Sequence, residues 1–408
     1  MVKDSRKNET LLRGRALPSL ILFALPIILG NIFQQLYNIV DAMVVGKYLG
    51  DLPLAGISIA SPIMDILYAL LLGASIGISV LTGHLTGSGD MVRLKKVHGT
   101  ALIGGSLFTL LLSAAALLSS RSILLAQGSD PEVVREAMSY LIIILGGLIF
   151  SFLYNYFAAL LRSWGNSRTP FWVLLFSSVL HALLDLLLCG LFGLGIYGVA
   201  CSTVFCQLVS TLWLALYTHR HCPPLRLSRK DLRFDRQEAR VILSYAWAAA
   251  LQQAVVMLGR FLIQGMLTPL GTPSVTGYNM SMRVEQFLFC FSQGISAAMV
   301  VGISLNHGKG QRERVKAFYF SAIGCELALW ALLGLILFFF APHFIRIFSD
   351  NEEVIAAGAS YGRTMALPYL FAFLGEVIQG YFRGIGRLRL TMAASLSQIV
   401  LRVLLSAL

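Results

Sequence analysis

Charge is what this sequence has least of. Only 13% of its 408 residues are Asp, Glu, Lys or Arg, against roughly 25% in a soluble globular domain. That scarcity excludes a water-exposed surface over most of the chain. Paired cysteines are missing too. The six, Cys189, Cys201, Cys206, Cys222, Cys290 and Cys325, form no CxxC, so no zinc ribbon or thioredoxin-type centre is encoded. All but Cys222 lie in apolar stretches, where a free thiol acts as a small hydrophobe. His219, His221 and Cys222 cluster in a polar loop and are expected to stay metal-free; no cofactor is expected either. No Asp-rich run of the kind a membrane prenyl transferase needs is present, which argues against an enzyme. The segment 84–93 lacks the GxxxDRxGRR-like pattern of the major facilitators. The first apolar run has no small-x-small cleavage site and continues for nearly 30 residues, so it reads as a retained helix, not a signal peptide.

What is present is long apolar sequence. The chain is 57% apolar, with a mean hydropathy of +0.75. About 20 apolar residues suffice to span a bilayer. Eleven such stretches can be read, near 17–45, 54–83, 97–118, 133–161, 169–192, 195–218, 238–268, 275–306, 316–341, 354–382 and 389–408. The fold class is therefore all-α, polytopic. The longer stretches imply tilt or kinks, and Pro26, Pro62 and Pro368 mark the expected bends.

A net charge of +12 raises the question of nucleic acid. Its placement answers it. With the N-terminus in the cytoplasm, 24 of the 32 Lys and Arg fall in inside segments and four, Lys47, Arg121, Arg135 and Arg346, in outside loops. This is the positive-inside bias of short loops. The partner is a lipid bilayer, the expected location a prokaryotic plasma (inner) membrane, and nucleic acid is excluded.

The sequence also repeats itself. Arg162, Gly165 and Arg168 recur 221 positions later as Arg383, Gly386 and Arg389. Gly56 and Gly277, Gly73 and Gly294, Gly87 and Gly308, and Ser139-Tyr140 and Ser360-Tyr361 share that offset, while Gln34-Gln35 matches Gln252-Gln253 at 218. An even number of spans per copy makes the copies parallel repeats about an axis along the membrane normal. The predicted organisation is an N-lobe (1–218), a basic cytoplasmic linker (219–237) and a C-lobe (238–408). The register also predicts a twelfth helix at 416–439, beyond Leu408, so the chain reads as stopping short of it.

Polar residues inside such spans tend to face a cavity or a partner. Asn31, Gln34, Asn38 and Asp41 fall within about 80° of one another on the first helix, one polar stripe. His181 and Asp185 stand four apart on the fifth. Counting along the helices puts Asp41 and Asp185 in the same outer third of the membrane, where a carboxylate pair would share protons or hold a cation with the oxygens of Asn155 and Asn38. In the second copy Gln253, Arg260 and Gln264 cluster on the seventh helix, and Arg283, Gln286 and Gln293 on the eighth. Gly259 and Ser406 stand where Asp41 and Asp185 would recur. Acidic chemistry is thus expected in the N-lobe, with Asp65, Glu326 and Glu376 as weaker candidates. Glu376 occupies the slot of Asn155. Gly73-x-x-x-Gly77 and Gly83-x-x-x-Gly87 predict close helix approach.

Leu25-Pro26, Gln34-Gln35-Leu36-Tyr37-Asn38, Asp41, Val45-Gly46 and Leu49-Gly50 resemble the first helix of the multidrug and toxic compound extrusion (MATE) family. Leu161-Arg162-x-x-Gly165-Asn166, Leu184-Asp185 with Gly193-x-Gly195-x-x-Gly198, and Phe382-Arg383-Gly384-x-Gly386-Arg387 extend the resemblance over the whole chain. It implies twelve helices in two six-helix lobes around a central cavity, and exchange of H⁺ or Na⁺ for drug-like, often cationic compounds by alternating access. It further implies that Asp41, Asp185 and Asn155 carry ion coupling, with His181 standing where the prokaryotic branch usually has Asn. An imidazole exchanges protons near neutral pH, which favours protons over Na⁺. Gln34, Asn38, Gln253, Arg260, Gln264, Arg283 and Gln286 are the expected substrate-cavity residues, and a monomer is expected. A lipid-linked oligosaccharide flippase of the same superfamily is the alternative, since Arg260 and Arg283 would suit a cationic cavity.

Overall fold

The computed structural model describes residues 10–126, 130–267 and 271–407. The side chains of Asn38, Val40, Asp41, Ala42, Met257, Leu258, Thr272, Pro273 and of 260–267 and 402–407 lie outside the described residues. Helices α1 (Ala16–Tyr48), α2 (Asp51–Ser88), α3 (Met91–Ala126), α4 (Pro131–Gly146), α5 (Leu148–Ser163), α6 (Arg168–Asp185) and α7 (Gly195–His221) form the first copy. Helices α8 (Arg236–Leu267), α9 (Thr272–Gly308), α10 (Arg312–Arg346), α11 (Glu352–Ala366), α12 (Tyr369–Gly384) and α13 (Leu388–Ala407) form the second. Among the described residues seven helices are long and apolar enough to cross a membrane, or nine if each bent pair is one span. With α8 and α13 the elements reach the eleven expected from sequence.

The repeat is written into the backbone. Gly50 and Gly271 adopt φ 80° and 87°, Gly89 and Gly310 78° and 76°, and Gly165 and Gly386 89° and 79°. These left-handed turns, which glycine adopts without a Cβ penalty, sit 221 positions apart at equivalent helix junctions. Asp130 and Asn351, again 221 apart, are both N-caps, accepting from the backbone N–H groups of Glu132 (2.8 Å) and Glu353 (2.9 Å). The two broken spans are also mates. The α4–α5 pair bends by 46° at Gly147 and the α11–α12 pair by 55° at Leu367–Pro368. Pro368 was an expected bend; its mate Gly147 breaks the helix without a proline. Pro26 and Pro62 sit inside unbroken helices.

Within each lobe the second helix of the copy, α2 or α9, packs on both halves of the broken span. The N-lobe core gathers Met64, Leu71, Leu141, Leu148, Phe152 and Tyr156. The first half of α1 departs from its own copy: Leu20, Phe23 and Ala24 are buried with Ile295, Met299 and Phe318 of the C-lobe. The Arg314 guanidinium fixes that crossing, donating to the carbonyls of Leu11 and Gly14 (both 2.8 Å) and to Asn306 Oδ1 (3.0 Å). The second half of α1 returns to the N-lobe, where Val45 packs on Cys189 and Val199. Lipid tails are as apolar as Leu, so close packing and hydrogen bonds hold such helices together.

The two lobes meet along α2. A Cβ on Gly73 would stand 2.4 Å from Ala250 Cα and one on Gly77 2.7 Å from the Ala246 nitrogen, both on α8. Gly83 faces Ser304, and Gly87 and Gly308 sit against the carbonyls of Leu305 and His84. These contacts fall from the middle of α2 to its end at the basic loops. The glycine runs therefore seal the lobes at the basic end, where His84 Nε2 also meets the Gly384 carbonyl (2.8 Å) and Arg93 pairs with Glu238 (2.8 Å).

Candidate functional site

The fifth span does not finish as an α-helix. Directly after Asp185 it widens into a π turn, Leu186–Leu191, a distortion that recurs at functional sites. It ends in Gly193 and Gly195, at φ 62° and 57°. The turn packs on α1, where Gly190 meets the ring of Tyr48.

At this junction His181 and Asp185 are almost completely buried, their side chains 4% and 1% exposed. His181 Nδ1 lies 2.7 Å from Asp185 Oδ2. The separation is that of an ion pair, but the angle is not that of a hydrogen bond, so the contact is electrostatic. On the other oxygen, Oδ1, the Ser202 hydroxyl donates a very short hydrogen bond. His181 Nε2 meets Thr203 Oγ1 at 2.8 Å and the Tyr37 hydroxyl at 3.2 Å. The Tyr37 and His181 rings stand edge to face, 4.9 Å apart. Tyr37 belongs to α1, so the imidazole ties the buried acid to the first helix. A carboxyl so placed can hold a proton or offer oxygens to a small cation, and either event changes the charge beside α1.

Asp41 lies one turn beyond Tyr37 on α1; its side chain, with those of Asn38, Arg260 and Gln264, lies outside the described residues. Asn155 is half-buried and gives its amide to the Ser151 carbonyl of its own helix (2.8 Å), so its recorded bond is not to Asp185. Gln34, Arg283, Gln286 and Gln293 are exposed and Gln253 half-exposed. Asn31 leaves the polar stripe to bond across the lobes, its amide 3.4 Å from the Cys290 carbonyl. Gln252, the mate of Gln34, is buried at 5% exposure and locked to Gln379 Oε1 (2.6 Å) and Ser395 (3.1 Å). Glu285 accepts from the Tyr369 hydroxyl (2.7 Å) rather than pairing with Arg283. His219 and His221 are exposed while Cys222 is buried, and no group of three metal-ligating side chains forms among the described residues.

Sequence reasoning passed over Tyr37, Ser202 and Thr203. The Gln-Gln-Leu-Tyr-Asn motif contained Tyr37, but a tyrosine at a helix face reads as packing. Ser202 and Thr203 carry no spacing signal. In the C-lobe, α10 buries the Glu326 carboxyl completely, and α12 brings Glu376 and Arg383 into an ion pair of 2.9 Å. The signal was present in those acidic residues of apolar helices, but which face they occupied was not.

The model of the MatE family matches residues 26–187 and again 248–408, one match per copy. The chain belongs to the MatE family. Among its relatives, the probable multidrug resistance protein YoeA of Bacillus subtilis is 26% identical over 90% of this chain and 81% of its own length. The FAD transporter of Shewanella oneidensis is 27% identical over 88% of this chain and 80% of its own. A solved structure described as MATE in complex with MaL6 aligns with a TM-score of 0.90 at 21% identity, covering 96% of this chain and 88% of that one. A transporter of the MOP superfamily from Pyrococcus furiosus, described as having a binding pocket of reverse polarity, aligns with a TM-score of 0.90 at 20% identity over 98% and 89%. This MATE protein is a multi-pass membrane transporter, not an enzyme.

Proposed function

We propose that this transporter is a cation-coupled antiporter of the inner membrane that exports drug-like, often cationic, organic compounds by alternating access. The observation that carries the reading is Asp185: a carboxyl 1% exposed, in contact with His181, which is tied in turn to α1 through Tyr37. The basic end faces the cytoplasm, following the distribution of Lys and Arg. The glycine seam closes that end, so the coupling ion arrives from outside. Relatives named as multidrug proteins support a small organic substrate.

A proton arriving at Asp185 removes the carboxylate charge that faces His181 and loosens the electrostatic hold that Tyr37 relays to α1. The first helix, which carries Gln34, then moves with the site. Protons suit this pair better than Na⁺, because one of the two carboxylate oxygens already faces an imidazole nitrogen and the other the Ser202 hydroxyl, so neither is left open to a cation. Asp41 would be the second carboxylate, and Asn155 a neutral oxygen for Na⁺ were that the ion. One charge falling through 100 mV supplies about 2.3 kcal/mol, and one pH unit about 1.4 kcal/mol.

A second reading follows from Arg283, which is exposed and, among the described residues, in no recorded ion pair. An anionic substrate or a lipid-linked oligosaccharide would suit it, and one relative is named as an FAD transporter. The test is efflux of ethidium and of an anionic dye from proteoliposomes, with pH and Na⁺ gradients imposed separately. Asp185→Asn is expected to abolish gradient-driven efflux while the protein stays in the membrane. Full efflux in that variant removes the antiport reading; transport of the anionic dye alone replaces the substrate class.

A further inference from the structure

Each lobe buries a carboxyl, and the two are not repeat mates. Glu326 lies fourteen residues into α10, about 21 Å from its start at 1.5 Å per residue, which places it near the middle of the membrane. Its exposure is 0%, and among the described residues neither carboxyl oxygen has a hydrogen-bond partner. The Ser292 hydroxyl of α9 is fully buried too and, among the described residues, likewise in no hydrogen bond. Helix α12, which carries Glu376, packs on α10 here, with the Tyr319 and Tyr381 rings 5.0 Å apart and Val377 in the same core as Ala322. The Glu376 side chain is 30% exposed and pairs at 2.9 Å with Arg383. Arg383 also reaches Ser296 Oγ (3.4 Å), whose hydroxyl donates to the Glu376 carbonyl (3.1 Å).

Among the described residues the remaining neighbours add no compensating charge. Helix α1 turns Phe23, Ala24, Ile27 and Ile28 towards this core. Arg363 of α11 is spent on the Phe338 carbonyl, three turns further along α10. Cys325 is the one other titratable group beside Glu326 on its own helix. A carboxylate with no donor in an apolar interior is neutralised by a proton.

Packing alone does not call for an acid here. In the N-lobe the mate of Glu326 is Gly105, 221 positions earlier, and the Phe152 ring fills the slot, 2.1 Å from where a Cβ would stand. The mate of Glu376 is Asn155. The C-lobe therefore carries two acids, one part-exposed and one buried, where the N-lobe has a glycine and an amide.

We infer that Glu326 is a second, exchangeable proton-binding site, in the C-lobe, reached through Glu376. It deepens the antiport reading above and rests on it for its use in transport. The proton passes from the Glu376 carboxyl to Glu326, leaving Glu376 as the carboxylate that Arg383 pairs.

Infrared difference spectroscopy of the full chain in lipid, between mildly alkaline and mildly acidic buffer, reads this directly. The parent protein and Asp185→Asn are expected to show a protonated-carboxyl band that changes with pH and is lost in Glu326→Gln, the uncharged isostere. A pH-difference spectrum unaltered by Glu326→Gln overturns the inference. Should that variant fail to fold, Glu376→Gln decides: the band should remain but appear severalfold more slowly after a pH jump, and an unchanged rate overturns the relay. The readout is separate from the antiport test, since full ethidium efflux in Asp185→Asn removes that reading without touching the Glu326 band.

Discussion

The seam between the lobes invites a wedge. A Cβ on Gly87 would stand 2.0 Å from the Leu305 carbonyl oxygen, and one on Gly308 2.1 Å from that of His84. Ordinary contact begins at 3.4 Å, so Gly87→Ala must part the ends of α2 and α9 by roughly 1.4 Å, the difference between 3.4 and 2.0 Å. Both obstructing atoms are backbone, and neither can rotate away. Overpacking of this kind costs about 1–3 kcal/mol. The strain exists only while the basic end is closed, so it biases the lobes towards opening there, by about 5–150-fold. The assay is distance measurement by double electron–electron resonance in lipid. Spin labels go at Val92 and Glu313, both exposed, on opposite lobes beside the seam. Gly87→Ala and Gly308→Ala should each raise the long-distance population. Gly324→Ala, where an added Cβ meets nothing within 4 Å, should leave it unchanged. Because the two substituted sites share one contact region, the double variant should show less than the sum. An unaltered distance distribution in folded Gly87→Ala and Gly308→Ala would refute the seam as a closure point.

Two further outcomes follow from the same end of the molecule. Arg314→Ala removes three hydrogen bonds to Leu11, Gly14 and Asn306; charge-assisted bonds contribute about 1.5–3 kcal/mol each at most, so amide exchange of residues 10–14 should accelerate by at least tenfold in hydrogen-exchange mass spectrometry. The Arg93–Glu238 pair is short but the Arg93 side chain is 43% exposed, so a double-mutant cycle read by thermal unfolding should return under about 1 kcal/mol of coupling.

Much of the fold was legible before any coordinates. Scarce charge and long apolar runs gave eleven spans, and the 221-residue register related their turns, down to the paired glycines and the paired N-caps Asp130 and Asn351. The same register could have found the break at Gly147, since Pro368 is its mate; without a proline the glycine carried no warning. The site was legible only in part. His181 and Asp185 stood out because a four-residue spacing places two polar groups on one face of an apolar helix. Ser202, Thr203 and Tyr37 did not, since contacts between different helices leave no spacing in the sequence.

Local chemistry thus settled which segments are helices, where they turn and which lobes they build, because bilayer length and backbone sterics act residue by residue. Tertiary packing decided the rest. It placed the first half of α1 in the core of the opposite lobe, widened the fifth span into a π turn beside Asp185, closed the lobes at the basic end, and buried the Glu326 carboxyl completely. Those outcomes depend on the relative rotation of helices up to 300 positions apart in the chain, as the His84–Gly384 contact shows. No local pattern encodes such a rotation, because it is the common solution of many side-chain contacts at once.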